Sequence, residues 1–231
     1  MRLSRLGIVT LAFCLSIGVA SAGNISFTGT FTQDDQLELF QFTASSASVV
    51  IQTWGYAGGT NANGQGILPG GFDPFLSLFD ANGGLLPGSL LIGSNNDGAG
   101  VSVDPTTESP FDSLLAMNNL LPGGTYVVVL SQNGNLPIGT YGDGFGQSGV
   151  GNFTAGEFGC SGTDPFCDPN GAQRNGSWAV DILGVDSAAD ITGGSAPEPA
   201  SMLLLGAGLA GIALLGRCGK QIEVSRSSGS R

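Results

Sequence analysis

Short runs in which hydrophobic and polar residues alternate are the feature that most constrains the fold of this chain. Ile25, Phe27 and Phe31 alternate with polar residues, and residues 37–42 and 49–54 repeat the pattern. Because successive side chains of a β-strand point to opposite faces, each run predicts a strand with one buried face. Further strands are predicted at residues 75–79, 126–130 and 178–185.

Glycine-containing turns separate these runs. Asn82-Gly83 and Asn133-Gly134 are dipeptides typical of tight hairpin turns, and Pro122-Gly123-Gly124 precedes the run at 126–130. Seven or more short strands without a helical period predict an all-β domain. The expected architecture is an antiparallel β-sandwich of jelly-roll-like form.

The N-terminal 22 residues have the features of a signal peptide. Arg2 and Arg5 precede an apolar stretch at 6–19, which ends in small residues. We expect a signal helix that signal peptidase removes by cleaving after Ala22, recognising Ala20 and Ala22.

A second apolar stretch lies near the C-terminus. Residues 199–216 carry no charge and would rise about 27 Å as a helix, close to the roughly 30 Å hydrocarbon core of a membrane. Arg217 and Lys220 follow, and basic residues hold the end of a helix in the cytoplasm. The pattern predicts one transmembrane helix, with the preceding residues facing outward.

These signals divide the chain into five parts. They are a signal peptide at 1–22, a β-domain at 23–190, a linker at 191–199, a transmembrane helix at 200–216 and a basic cytoplasmic tail at 217–231.

The exported part is strongly acidic. Between Gly23 and Ala196 it has sixteen Asp and Glu residues and one basic residue, Arg174, for a net charge of −15. Nucleic-acid binding is excluded, because Lys and Arg are needed to neutralise phosphates. This charge suits a protein that stays soluble outside the cell or binds divalent cations.

Two residue types are missing from the exported part. The chain has no His, and its one Lys is Lys220. These absences exclude Ser-His-Asp and Cys-His catalysis, a His-ligated zinc site and a Schiff-base lysine. Catalysis by paired carboxylates is the route left open, and no Glu stands in an evident catalytic context. We therefore expect no enzymatic activity.

Calcium is the one cofactor for which the sequence offers ligands. Asp80 and Asn82 follow a predicted strand, and Asn96 and Asp97 lie in the next loop. Calcium prefers carboxylate, carbonyl and amide oxygens. Asp73, at the other end of that strand, lies too far from Asp80 to share an ion with it. The alternative is that these Asp and Asn side chains cap turns by bonding their own backbone.

Cys160 and Cys167 bracket a segment rich in turn residues. Both are exported to an oxidising compartment, so we predict a disulfide between them.

The C-terminal signal resembles a known sorting domain. Pro197-Glu198-Pro199, the apolar helix and the basic end with Arg217 and Lys220 occur in the order of the PEP-CTERM domain. The resemblance implies recognition of the tripeptide by an exosortase-like membrane protease. It also implies a Gram-negative host that makes exopolysaccharide.

The β-domain resembles the bacterial pre-peptidase C-terminal (PPC-like) β-sandwich. The likeness rests on three blocks in order, at residues 72–80, 95–97 and 120–132. It implies a non-catalytic extracellular module, and several relatives of this kind bind calcium.

Two functions stay open from the sequence. The first is a non-catalytic surface or exopolysaccharide-matrix protein, held transiently in the inner membrane and then delivered outside. The second is a calcium-dependent carbohydrate-binding or adhesin module. The second needs an exposed aromatic or calcium-bridged sugar site, and aromatic candidates such as Trp54, Tyr56 and Phe145 lie in or near Gly-rich segments. The alternative is that these rings fill the core or plug the loops.

Overall fold

The computed structural model describes residues 23–192, which form an almost entirely β structure. The strands are β1 (Gly23–Thr30), β2 (Glu38–Ala44), β3 (Val49–Thr53), β4 (Gly59–Thr60), β5 (Gly66–Ile67), β6 (Pro74–Asp80), β7 (Leu91–Asn95), β8 (Leu114–Met117), β9 (Thr125–Gln132) and β10 (Ser177–Asp190). A 3-10 helix at Tyr141–Asp143 and a short helix α1 at Thr154–Phe158 complete the elements. The predicted all-β fold is confirmed, and each of the six predicted runs overlaps a strand, with Phe31, Leu37 and Trp54 one residue outside.

Eight of the strands belong to one antiparallel sheet that curls on itself. The order is β7-β6-β9-β2-β10-β3-β8, with β1 also paired to β10, and β4 and β5 form a separate hairpin. The two ends of this order, β7 and β8, come back into contact with each other. The sheet is therefore nearly closed, with its apolar face turned inward as in a sandwich.

The long strand β10 joins the two layers of this sandwich. Its first half pairs with β1 on one edge and, at Val180–Leu183, with β3 on the other. Its second half, from Val185 to Asp190, pairs with β2. The pairing with β1 skips Gly184, which has a φ of +82°, and the register with β2 shifts between Val185 and Ser187. Only glycine adopts this conformation readily, so Gly184 lets one strand bend from one layer into the other.

Alternate residues of the strands fill the space between the layers. Phe40 and Phe42 of β2 and Val128 and Leu130 of β9 point inward and are fully buried. Trp178 in β10 packs its ring near the ring of Phe40, with centroids 5.7 Å apart. Each inward residue removes a large apolar surface from water, which is the main force that holds the layers together.

A second, smaller cluster covers the outer face of β6 and β9. Phe79, Val127 and Val129 point to that side, and Phe145 and Tyr141 from the loop after β9 close over them. The centre of the sheet is therefore buried on both faces, which explains why β9 is a nearly continuous apolar run.

Several predictions fall outside the described residues. The signal helix at 1–22, the transmembrane helix at 200–216 and the basic tail at 217–231 all lie there. Between residues 23 and 192, no helix is long and apolar enough to cross a membrane.

Candidate functional site

Buried aspartates are the most unusual feature of the β-domain. Six of them are nearly inaccessible to solvent, and most accept several hydrogen bonds from backbone or side-chain donors. Asp181 in β10, for example, accepts bonds from the Ser26 hydroxyl, the Trp54 indole and the Ala62 amide. The six residues are Asp34, Asp73, Asp104, Asp112, Asp168 and Asp181.

Asp34 anchors the loop that carries the two cysteines. Its Oδ2 atom accepts bonds from the amides of Phe153 and Thr154 and from the Thr154 hydroxyl. Its Oδ1 atom accepts a bond from the Phe166 amide at 2.6 Å. One buried carboxylate therefore ties the β1–β2 connection to the start of α1 and to the residue before Cys167.

The predicted disulfide between Cys160 and Cys167 is confirmed. Their Cα atoms are 5.9 Å apart, and Cys167 is fully buried. The Cys167 amide also donates to the Thr154 hydroxyl at 2.9 Å. The bridge thus closes a loop that Asp34 already holds against the sandwich.

Arg174, the one basic residue of the exported part, is buried with Asp104 and Tyr56. Its Nη2 atom lies 3.0 Å from Asp104 Oδ2, and its guanidinium lies 4.0 Å from the centroid of the Tyr56 ring. Burial disfavours the charged form of Asp104, but Arg174 and the amides of Thr106 and Thr107 outweigh it and lower its pKa to about 2. This pair is structural, because its donors and acceptors are already matched.

Asp112 and Asp168 also accept hydrogen bonds from the segment that contains Tyr56. Asp112 accepts bonds from the Thr53 hydroxyl and from the amides of Tyr56 and Ala57. Burial nevertheless raises the pKa of Asp112. Asp168 accepts a bond from the Tyr56 hydroxyl at 2.7 Å. Burial, together with the Asp168 charge, raises the pKa of the Tyr56 hydroxyl.

Asp73 differs from the other buried aspartates because one of its oxygens has no partner. Oδ2 accepts a bond from the Asn133 amide group at 2.9 Å, whereas Oδ1 is buried and unbonded. Burial raises the pKa of Asp73 well above its usual value, and the charges of Asp97, Asp168 and Asp112 add to the rise. The Oδ1 atom therefore has no donor to compensate for the loss of its hydrating water.

Two of the residues predicted to bind calcium form a turn. Asp80 Oδ1 accepts bonds from the Asn82 amide at 2.9 Å and from the Asn82 side chain at 2.7 Å. Asn82 Oδ1 in turn accepts a bond from the Thr125 amide. These contacts are the turn chemistry weighed as the alternative to calcium.

The sheet register separates these two residues from Asn96 and Asp97. Asn95 pairs with Leu76, whereas the Asp80 amide bonds to Leu90. Asp80 and Asn82 thus lie at one end of β6, and Asn96 and Asp97 lie at the other. Leu76 and Asp80 are four residues apart, which is roughly 13 Å along the strand. The structure does not gather the four residues into one cluster, because β7 runs antiparallel to β6 and carries Asn96 and Asp97 back towards Asp73.

Three backbone carbonyl oxygens lie around the Ser113 hydroxyl at that end of β6. The Ser113 hydroxyl lies 2.8 Å from the Pro74 carbonyl oxygen and 3.1 Å from that of Asn95, and it also contacts the Asn96 carbonyl. The Oδ1 atom of Asn96 is buried without a partner. Asp97 follows it, and burial raises the pKa of the Asp97 carboxyl. Sequence reasoning missed Ser113, because only the fold brings the residue before β8 beside β6.

Glu38 and Asp190 form an acidic pair near the end of the described residues. Burial raises the pKa of Glu38 to about 7, with a hydrogen bond to Thr192 opposing the rise and the neighbouring Asp190 adding to it. The Leu39 amide donates to the Thr192 hydroxyl, and the Ile191 amide donates to the Leu39 carbonyl. These contacts fix the residues just after β10 to the start of β2.

Across residues 23–192, no three His, Cys, Asp or Glu side chains come close enough together to hold a metal ion. The remaining predicted positions lie outside the described residues: Ala20, Ala22, Pro197, Glu198, Pro199, Arg217 and Lys220.

Comparison with known families matches the C-terminal segment. Residues 195–217 fit the model of the PEP-CTERM protein-sorting motif, and they include Pro197-Glu198-Pro199 and Arg217. No curated protein matches the chain. The fold and this motif define an exported, all-β protein with a C-terminal sorting signal.

The chain therefore carries a PEP-CTERM sorting motif, as its sequence predicted. The motif implies export, membrane-anchored sorting to the cell surface in Gram-negative bacteria, and processing by an exosortase-type partner.

Proposed function

We propose that this chain is a non-catalytic protein of the cell surface or exopolysaccharide matrix. Signal peptidase removes residues 1–22, and an exosortase-like protease releases the β-domain from its membrane helix near Pro197-Glu198-Pro199. The observation that carries this proposal is the sorting motif at 195–217, which follows a strongly acidic all-β domain. The PPC-like resemblance of that domain supports the same assignment.

Two surface grooves lie on the described part of the chain. One groove of about 340 Å³ is lined by the β6–β7 loop, and Asp80 is the one acidic residue in its lining. A second, of about 460 Å³, lies between β1 and the β4–β5 hairpin and has no acidic residue in its lining. Carboxylate-based hydrolysis of a sugar bond needs two carboxyl groups in one cleft. Neither groove supplies such a pair.

Intact mass of the protein tests the sorting step. The protein would be isolated from envelope and medium of hosts with and without the exosortase-like protease. We expect a species that begins at Gly23 and ends near residues 197–199 only where the protease is present. A double variant, Pro197→Ala with Pro199→Ala, should accumulate with its C-terminus intact. A chain that ends at Arg231 in both hosts would show a permanent membrane anchor and contradict the proposal.

Carbohydrate binding is the competing function. The aromatic candidates Tyr56 and Phe145 are buried, which favours a core role over a sugar-stacking platform. The groove between β1 and the hairpin nevertheless offers hydroxyl and amide groups from Thr28, Gln65 and Asn175. A glycan array with the purified protein distinguishes the two. We expect no defined glycan to bind, and binding that Gln65→Ala abolishes would favour the carbohydrate-binding module instead.

A further inference from the structure

Strand β1 has one hydrogen-bonded edge and one open edge. Among residues 23–192 it pairs with β10 alone. Its side chains show the exposure of an edge strand, because Asn24, Thr28 and Thr30 are exposed and the others are half-buried. The strands β7 and β8, which end the sheet order, contact each other. Within the described part of the chain, the curled sheet therefore leaves β1 as the long strand with a free edge.

The backbone groups on this open edge can be identified from the pairing with β10. The Phe31 amide donates to the Gly176 carbonyl, so the backbone groups of Phe31 face the β10 side. Successive residues of a strand direct their backbone groups to opposite edges, so every second residue of β1 faces away from β10. These amides and carbonyls form a row that can pair with another strand. The residues that face away are Asn24, Ser26, Thr28 and Thr30.

The sequence of β1 does not protect this edge. Natural edge strands avoid pairing with other chains by carrying charged residues, Pro or a bulge. Residues 24–30 contain no charged residue and no Pro, although the exported part has a net charge of −15. The register shift with β10 lies at the very start of the strand, between Gly23 and Asn24. The groove beside the edge is also lined by uncharged residues, and one of them, Leu68, is highly exposed.

The open edge of β1 is complementary to itself. Ile25 and Phe27 pack against the core on one face of the strand, and the alternate residues on the other face are polar. Antiparallel pairing of two copies about Phe27 places apolar residues opposite apolar ones and polar residues opposite polar ones. Phe27 then lies opposite its counterpart, and Ile25 lies opposite Gly29, where the Trp178 ring packs against the backbone. Such cross-strand pairs of aromatic and β-branched residues stabilise a sheet.

We propose that two copies of this chain associate through antiparallel pairing of their β1 strands about a two-fold axis at Phe27. The pairing joins two β-domains into one continuous sheet, and its neutral edge lets two acidic domains approach each other. Each copy uses its open edge once, so the association gives dimers and not filaments. One strand pair is a small interface beside the standard interface of about 1,200–2,000 Å², so we expect a dissociation constant in the micromolar range.

Disulfide cross-linking of the full chain in detergent locates the interface. Asn24→Cys and Thr30→Cys would be prepared as separate variants, each also carrying Cys14→Ser and Cys218→Ser. In the proposed register residue 24 of one copy lies opposite residue 30 of the other, with Cα atoms about 5.5 Å apart, which a disulfide spans. Two copies of the same position lie about 20 Å apart. We expect a cross-linked dimer from a mixture of the two variants and none from either alone. A mixture that gives no more dimer than the single variants would overturn the proposal.

Thr28→Pro tests the contribution of the backbone. The Thr28 side chain is exposed and its amide faces the open edge, so Pro removes a donor of the dimer without removing a bond to β10. Sedimentation of the full chain in detergent should show a dissociation constant that rises at least tenfold in Thr28→Pro. Thr28→Val, which keeps the amide, is the matched control and should associate as the unaltered chain does. Equal association in Thr28→Pro would overturn the proposal. An unaltered chain that stays monomeric at about 1 mM would also overturn it and leave the edge to another protein or to another segment of this chain.

Charge variants keep the test decisive where Thr28→Pro fails to fold. Because positions 24 and 30 oppose each other in the dimer, Asn24→Asp with Thr30→Asp places like charges face to face and should weaken association at least tenfold. Asn24→Lys with Thr30→Asp places opposite charges there and should associate at least as tightly as the unaltered chain. Both positions are exposed, so neither double variant disturbs the core. Equal association of the two double variants would contradict pairing about Phe27.

Discussion

At the scale of single residues, Gly184 allows β10 to bend. Its φ of +82° is one that other residues adopt only with strain, and a Cβ atom there would lie 2.8 Å from the Ser48 carbonyl oxygen. The position therefore requires glycine for two separate reasons, the backbone conformation and the close approach of the β2–β3 connection.

Replacing Gly184 with Ala should destabilise the domain by about 2–4 kcal/mol, because strain and a clash add together. Gly100→Ala is the matched control, since Gly100 has a φ of +89° and open space around it. We expect the control to lose only about 1 kcal/mol. Urea unfolding measures both, and equal losses would show that the contact with Ser48 does not matter.

Arg174 is the second residue whose replacement is informative. Removing one partner of a buried ion pair leaves the other charge uncompensated, so Arg174→Met should cost about 3–5 kcal/mol at pH 7. A double variant, Arg174→Met with Asp104→Asn, should recover part of that loss. No recovery in urea unfolding would mean that Arg174 acts through its bonds to backbone carbonyls and not through Asp104.

The pH dependence of this pair follows from the lowered pKa of Asp104. The folded pKa of about 2 lies below the ordinary value of 3.8, so the ionised form stabilises the fold above about pH 4. That contribution is lost as the pH falls through about 2. The difference between the unaltered chain and Arg174→Met should therefore shrink over this range.

The disulfide could be predicted from the sequence, because the oxidising compartment decides whether two exported cysteines form a bond. Cys160 and Cys167 are the two cysteines of the exported part, so each had the other as its expected partner, and they are bonded. The calcium prediction grouped Asp80 and Asn82, which follow a predicted strand, with Asn96 and Asp97 in the next loop. Spacing along the chain does not give the register of β6 and β7. Asp73, at the other end of β6, was judged only against Asp80. The antiparallel direction of β7, which carries Asn96 and Asp97 back towards that end of β6, is known only from the structure.

At the scale of elements, the junction between β2 and the end of β10 responds to pH. The Glu38 carboxyl has a pKa of about 7 in the folded chain against an ordinary value of 4.5. A raised folded pKa means that the protonated form is favoured by folding. Stability from this group is complete below pH 4.5 and is lost as the pH rises through about 7.

Glu38→Gln should remove this pH dependence and leave a domain more stable than the unaltered one at pH 8. Glu157→Gln is the control, because Glu157 is exposed on α1 and should leave the profile unchanged. Melting temperatures recorded between pH 4 and pH 8 supply the comparison. A Glu38→Gln profile that falls as steeply as that of the unaltered chain would assign the effect to another group.

The strands that sequence reasoning found are those with a buried face. The six predicted runs correspond to β1, β2, β3, β6, β9 and β10, where alternation is enforced by packing. The four strands it missed give no such signal. β4 and β5 have two residues each, and β7 is an edge strand whose side chains are largely exposed. β8, with four residues, is too short to show a period.

At the scale of the whole molecule, the excess of acidic residues opposes folding. A net charge of −15 between residues 23 and 196 makes the compact state repel itself. Salt screens such repulsion, with a Debye length of about 10 Å at 0.1 M.

The melting temperature should therefore rise between 10 mM and 150 mM NaCl with EDTA present, and choline chloride should have the same effect. Equal shifts with both salts identify general screening. A rise with NaCl that choline chloride does not reproduce would point to specific sodium binding instead.

The continuous strand β10 also determines how the molecule bears a load. It is the last strand among residues 23–192, and it pairs with β1, β3 and β2. Antiparallel hydrogen bonds lie perpendicular to the strand, so tension applied at Thr192 acts along β10 and strains many of them together. A force applied from the membrane would therefore load the sandwich in shear, the direction in which a sheet best resists rupture. It would not peel the strands apart one by one.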